Sequence, residues 1–337
     1  MSANATAVRP KTLNTIQAIN AALEEALRTD PNVILLGEDI ADAEDGGVVG
    51  ATKGLSSQFG TKRVRTTPIS EQAIIGAAIG ASIVGMRPVA EIMLMNFTTV
   101  AMDMIVNHAA KLRFMSGGQT HVPITIRTMT GAGFGTGGQH ADYLEAWFAH
   151  TAGIKVVAPS SPADAYGLLL SCIFDDDPCL FIENMPSYWM AGPAPEAGVR
   201  IPLGKANIVK AGSDVTLISY SRTVADCLAV ANICVADGIN VEVIDLRTVS
   251  PYDAETVLNS VAKTRRAVIV HEAVKPFGVG AEIAARINEE LFGQLRARVE
   301  RVGAYFSPVP FAKNLEAGFV PTQARIEAAV RATIAKD

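Results

Sequence analysis

"TPISEQAIIGAAIG", residues 67–80, places one carboxylate, Glu71, ahead of a run that carries no further charge until Arg87. The run reads as a helix that begins at Ser70. Serine is a good N-cap, and an acid in the first turn is favoured by the helix dipole by roughly 0.3–1 kcal/mol. The local reading of Glu71 is therefore helix capping. The competing reading is a buried catalytic acid at the mouth of an apolar helix, and only the surrounding sequence can decide between them.

On either side the chain alternates short Val/Ile runs with helical stretches. In the first half the spacing predicts a helix "TIQAINAALEEALRTD" stopped by Pro31, and a strand "VILLG" leading to Glu38 and Asp39. After the Ser70 helix come a strand "RPVAEIML", a long helix "TTVAMDMIVNHAAKLRFM", a strand "VPITIRT" and a helix "ADYLEAWFAH". "IKVVAPS", "PADAYGLLLSCIFDD" and "PCLFIE" close this half as strand, helix and strand. Residues 186–205, rich in Pro, Gly and Ala, read as a linker. The second half repeats the alternation: strands "DVTLISYS", "VEVIDLRTV", "AVIVHEA" and "VERVGA" between helices, one of them ending at Asp237 with Gly238 as its cap. The expected fold is α/β, with mainly parallel sheets covered on both faces. Its domains fall at 12–190 and 206–335, joined by a linker at 191–205.

The chain's 337 residues are 49% hydrophobic and 19% charged, with a mean hydropathy of +0.25. No segment approaches the 18 or more uninterrupted apolar residues of a membrane helix, so the apolar surplus points to a subunit interface. A net charge of −5 offers no basic footprint for nucleic acid. "MSANATAVRPK" has no apolar stretch of signal-peptide length, and cytoplasm is the expected location. Cys172, Cys179, Cys227 and Cys234 form no CxxC and read as small buried hydrophobes.

Chemistry is sparse outside the first half. "TGAGFGTGGQHAD", residues 130–142, matches neither a P-loop nor a dinucleotide fingerprint. It is either a flexible loop or a ligand loop at the carboxyl end of a strand, and it ends in His140. His108 and His150 lie in helical runs and read as packing residues; His121 precedes a strand; His271, in "HEA", reads as polar and exposed. Glu38 and Asp39 form a possible acid/base pair that would equally serve to bond nearby backbone. There is no GxSxG and no metal-ligand cluster.

The blocks "GED" (37–39), "GGVVGATKGL" (46–55), "TTPISEQAIIGAAIGAS" (66–82), "RPVAEIMLMNF" (87–97), "GQHAD" (138–142) and "VEVIDLRTVSP" (241–251), in this order, decide the matter. The set resembles the β subunit of the thiamine-diphosphate-dependent E1 component of 2-oxo acid dehydrogenase complexes, a family that includes the pyruvate, branched-chain and acetoin enzymes. The resemblance runs from about residue 12 to the C-terminus. It implies two three-layer α/β/α domains, a pyrimidine-binding one followed by one like the C-terminal domain of transketolase. It also implies that Glu71 hydrogen-bonds N1′ of the cofactor's aminopyrimidine and exchanges a proton there, which activates the cofactor's own 4′-nitrogen as a base. Carboxyl groups in apolar pockets are suited to such exchange near neutral pH. Glu38, Ile69 and Phe97 are then expected on the cofactor side, and His140 facing the reacting carbon. Capping and catalysis are compatible roles for one carboxyl.

The resemblance carries further expectations. The chain lacks the GDG motif that holds the diphosphate through Mg²⁺, so an α subunit is expected to supply it in an α₂β₂ tetramer. A lipoyl-bearing E2 would accept the acyl group, and the substrate would be a small 2-oxo acid or acetoin. A potassium ion would be held mainly by main-chain oxygens at Val122, Ile124, Thr125, Cys172, Asp175 and Asp177. Ala141 and Asp142 depart from the family pattern beside His140, as does Phe97 from the Tyr of branched-chain relatives, so the acyl group stays open. A non-catalytic scaffold chain and a transketolase split across two chains are the alternatives.

Overall fold

The computed structural model describes residues 11–335. Strands Val33–Glu38, Thr125–Thr130 and Cys179–Asn184 are buried at every position, as the central strands of a sheet covered on both faces must be. The seven-stranded sheet runs, from one edge, Thr248–Ser250, Lys155–Val157, Cys179–Asn184, Thr125–Thr130, Arg87–Leu94, Val33–Glu38 and Val64–Thr67. All pairs are parallel except the first, which is antiparallel. The alternation of strand and helix predicts this α/β architecture, and the structure has it.

One face is covered by helices Thr15–Thr29 and Pro162–Ile173. Asn14 caps the former: its Oδ1 accepts the Gln17 N–H at 2.8 Å, while Gln17 Oε1 accepts the Asn14 N–H at 2.9 Å. Ala18, Ile19, Ala22, Leu23, Ala26 and Leu27 form its buried stripe, and each large side chain there contributes about 1.5–3 kcal/mol. The other face is covered by helix Glu71–Ile83, in which Ile74, Ile75, Ala78 and Ile79 point inward. The predicted long helix beyond Phe97 is broken instead. It becomes a 3-10 turn at Met95–Thr99, a π-helical stretch at Met104–Ala109 and a short α-helix at Leu112–Met115. A close backbone crossing lies beside the break, since a Cβ on Gly153 would stand 1.9 Å from the Ala110 carbonyl oxygen. The predicted helix 141–150 shrinks to Glu145–Ala149.

The second half forms a five-stranded sheet in the order Glu300–Ala304, Ala267–Val274, Val215–Ser219, Val241–Asp245 and Asn207–Lys210, with the last strand antiparallel. The run "VEVIDLRTV" is not one strand. After Asp245 the chain turns through Arg247 at φ 58°, and Thr248–Ser250 crosses over to pair with Lys155–Val157 of the first sheet. Asp245 holds this turn by accepting the Arg247 N–H at 2.9 Å. Ile218, Ile244, Val257, Ile269 and Ile283 of the second half share a core with Ile75, Ile92 and Ile126 of the first. Residues Ala191–Pro193, at the start of the expected linker, pair antiparallel with Thr12–Asn14.

Three central strands of the first sheet are cross-tied by charge. Arg127 bonds Glu183 through Nε at 2.7 Å and Nη2 at 3.0 Å, and Glu91 through Nη1 at 2.6 Å. Tyr188 donates to the same Glu183 at 2.6 Å. Removing one partner of a buried ion cluster leaves uncompensated charge, at a cost of about 3–5 kcal/mol. Arg127→Met is therefore expected to lose about that much in urea unfolding of the full chain; a loss below about 1 kcal/mol would contradict the buried-charge account.

Candidate active site

Strand Val33–Glu38 ends where helix Glu71–Ile83 begins, and both terminal carboxylates are buried: Glu38 and Glu71 are each 7% exposed. Burial and the neighbouring Glu71 carboxylate push Glu38 above the ordinary glutamate value, while the Ser70 N–H offsets part of this by donating to Glu38. Glu38 thus meets Glu71 more closely, in electrostatic terms, than it meets Asp39, its expected partner. The capping reading of Ser70 fails: its hydroxyl makes no cap bond and donates instead to the Pro68 carbonyl at 3.1 Å. Glu71 has no hydrogen bond or ion pair to any described residue, yet it lines an open hollow of about 530 Å³ with Ser70, Gln72, Ala73, Val100 and Met104. Ile69 stands beside it, 83% exposed.

The 3-10 turn Met95–Thr99 links this hollow to the glycine loop. Val100, just after the turn, lines the Glu71 hollow, while Phe97 within it meets the His140 ring edge-on at 5.5 Å between centroids. Asn96 of the same turn ties the loop down: its Nδ2 donates to Gly138 O at 3.2 Å and to Asp142 Oδ2 at 2.9 Å, and its Oδ1 accepts the Asp142 N–H at 3.2 Å. Asp142 is therefore turned to Asn96, not to His140. Burial pushes its carboxyl above the usual carboxylate range, and the Asn96 bond partly offsets that. The structure thus sets Glu38 beside Glu71, Val100 against the Glu71 hollow, and Phe97 of the preceding turn against His140.

The transketolase pyrimidine-binding domain family matches residues 11–189, and the transketolase C-terminal domain family matches residues 204–326. The acetoin:2,6-dichlorophenolindophenol oxidoreductase β subunit of Cupriavidus necator is 45% identical over 325 residues, covering 94% of this chain and 96% of that protein. The pyruvate dehydrogenase E1 component β subunit of Rickettsia felis is 42% identical over 315 residues, with coverage of 94% and 96%. The chain belongs to the E1 β-subunit family. In fold it is also similar to a split-gene transketolase solved as an inactive β4 tetramer, with a TM-score of 0.79 at 21% identity over 96% of this chain and 98% of that one.

Other expected residues sit apart from this turn. The 122–125 and 172–179 segments lie side by side, with Cys179 donating to Ile124 O at 3.0 Å and Thr125 opposite Cys179 in register. Asp175 takes Lys155 Nζ at 2.6 Å, Asp177 takes Arg113 at 2.5 Å, and the Asp175 carbonyl accepts from Arg87 at 3.0 Å. Three histidines differ from expectation. His271 is fully buried, stacked on Tyr220, and burial pushes its imidazole down to about 4. His108 and His150 are exposed rather than packed. Asn96, Glu272 and Glu316, which all reach the glycine loop, were not singled out from sequence; an Asn beside Phe97 is the one local signal.

A carboxyl whose folded value lies above its unfolded one, about 4.3, binds protons more tightly folded than unfolded. Folding is favoured as pH falls through that window and opposed above it. Glu38→Gln removes the repulsion while keeping an acceptor for Ser70. The variant should melt above the wild type at about pH 8, with the gap closing towards about pH 4. Equal or lower melting at the higher pH would contradict a Glu38 carboxyl raised by burial and by the neighbouring Glu71.

Proposed function

We propose that this chain is the β subunit of an E1 enzyme that uses thiamine diphosphate to cleave a small 2-oxo acid or acetoin and passes the acyl group to the lipoyl arm of an E2 partner. The observation that carries this reading is Glu71: on a residue only 7% exposed, its carboxylate makes no hydrogen bond or ion pair to any described residue and lines an open hollow near a second carboxylate. A carboxylate that faces such a hollow can accept a donor from outside the chain, and the protonatable ring nitrogen of an aminopyrimidine is one. When bound, thiamine diphosphate supplies the carbon that attacks the substrate's carbonyl.

Each residue then has a physical task. Glu71 holds and exchanges the proton at N1′. Glu38 stands beside it as a second carboxylate on the cofactor side. Ile69 and Phe97 offer apolar contact to the cofactor, and His140, held against Phe97, donates to the substrate's carboxylate or carbonyl oxygen. No GDG motif occurs in the sequence, so Mg²⁺ and the diphosphate fall to an α subunit. The outer face of helix Glu71–Ile83 fits such a partner: Gln72, Ala73, Ala77, Gly80 and Ile83 are exposed, uncharged and mostly small. A potassium ion would sit where the 122–125 and 172–177 segments meet, beside the buried, unpartnered Thr125 hydroxyl.

Glu71→Gln in the co-expressed complex tests this reading. An amide cannot exchange the N1′ proton, so turnover on pyruvate or acetoin should fall by about 10²–10⁴-fold with assembly intact. More than about a tenth of wild-type turnover would contradict the assignment.

A further inference from the structure

The loop that carries His140 has few side chains with which to hold itself. Gly131, Gly133, Gly135 and Gly137 take φ of 117°, 138°, 66° and 73°, backbone that glycine adopts freely and other residues rarely. A glycine-rich segment of this kind pays a large conformational cost on ordering unless something external anchors it. Here the anchors come from the second domain. Glu316, 3% exposed in helix Lys313–Phe319, accepts the Gly133 N–H at 2.7 Å through Oε1 and the Gly135 N–H at 3.0 Å through Oε2. Glu272 accepts the Ala132 N–H at 2.8 Å. Phe311 closes over the next turn, where a Cβ on Gly137 would stand 2.3 Å from the ring.

We propose that Glu316 is a positioning residue: by clasping the Gly133 and Gly135 amides from the second domain, it fixes where His140 stands against Phe97. This inference rests on the role given to His140 above. Glu316 is the decisive anchor because its two oxygens are spent on the loop alone. Glu272, by contrast, also takes Asn184 at 2.8 Å and lies 3.5 Å from Arg222, so its loss would spread wider. The two bonds from Glu316 are charge-assisted and buried, which makes them stronger than ordinary amide bonds. The apolar cluster under the loop is small: Ala132, Ala141, Ala304, Val309 and Phe319. The loop's other ties between Thr130 and Asn96's bond to Gly138 are the Glu272 bond at Ala132, the Phe134–Trp189 ring contact and Phe311 against Gly137, and none of these holds the Gly133 and Gly135 amides.

Glu316→Ala removes both acceptors; Glu316→Gln keeps the shape and one acceptor, and carries the test if the alanine variant folds poorly. Amide hydrogen exchange in the full-length chain should quicken by about tenfold or more across residues 130–139 in Glu316→Ala, less in Glu316→Gln, with the sheets unchanged. In the complex with the α subunit, a group that acts through His140 adds no further loss to His140→Ala, whereas an independent structural defect multiplies with it. Unchanged loop exchange, or multiplied losses in the double variant, would overturn the proposal. Exchange is read without turnover, so a complex inactive on every substrate would refute the functional reading and leave the clasp to be decided by exchange.

Discussion

Two like charges held together in a mostly apolar setting are the constraint on which the site depends. Glu38 closes a fully buried strand and Glu71 opens a helix packed against the same sheet, so the fold sets both carboxylates near one another, and neither has a cation partner among the described residues. A carboxylate without a donor among the described residues, at the mouth of an open hollow, fits a partner that arrives from outside and offers a proton or a positive edge. The helix behind Glu71 repeats the theme, with an outer face free of charge and rich in small residues, suited to close approach by another subunit.

The second requirement is to place a histidine on a loop that cannot place itself. The protein solves this by making the two domains one mechanical unit. They share a hydrophobic core, the second half lends strand Thr248–Ser250 to the first sheet, and Glu272 and Glu316 reach across to the glycine loop. From the first domain, Asn96 holds the far end of the loop at Gly138 and Asp142. His140 is thus positioned from both sides, although it lies in a stretch that reads locally as flexible.

The fold class was legible because apolar runs of strand length, alternating with helical stretches, have few other solutions. Glu71 is conspicuous in the sequence as an acid at the head of a long uncharged run, and the structure sets it at the mouth of a hollow. What escaped was set by contacts distant in sequence. Nothing near Met104 signals a π-helical stretch, which lies where Gly153 crosses Ala110. "VEVIDLRTV" reads as one strand because the turn at Arg247 is stabilised by Asp245, whose own burial depends on the tertiary fold. Ser70 fits a cap by type, but its hydroxyl is drawn back to Pro68. His271 is buried because it stacks on Tyr220, a strand away. Glu316 was invisible as part of the site because its partners are backbone amides more than a hundred residues earlier.

On the proposed function the site is half-built in this chain and completed by a partner, and a calorimetric titration measures this. Thiamine diphosphate with Mg²⁺ should give no measurable heat of binding with the isolated chain, and saturable binding once the co-expressed α subunit is present. Tight binding by the isolated chain would contradict the account.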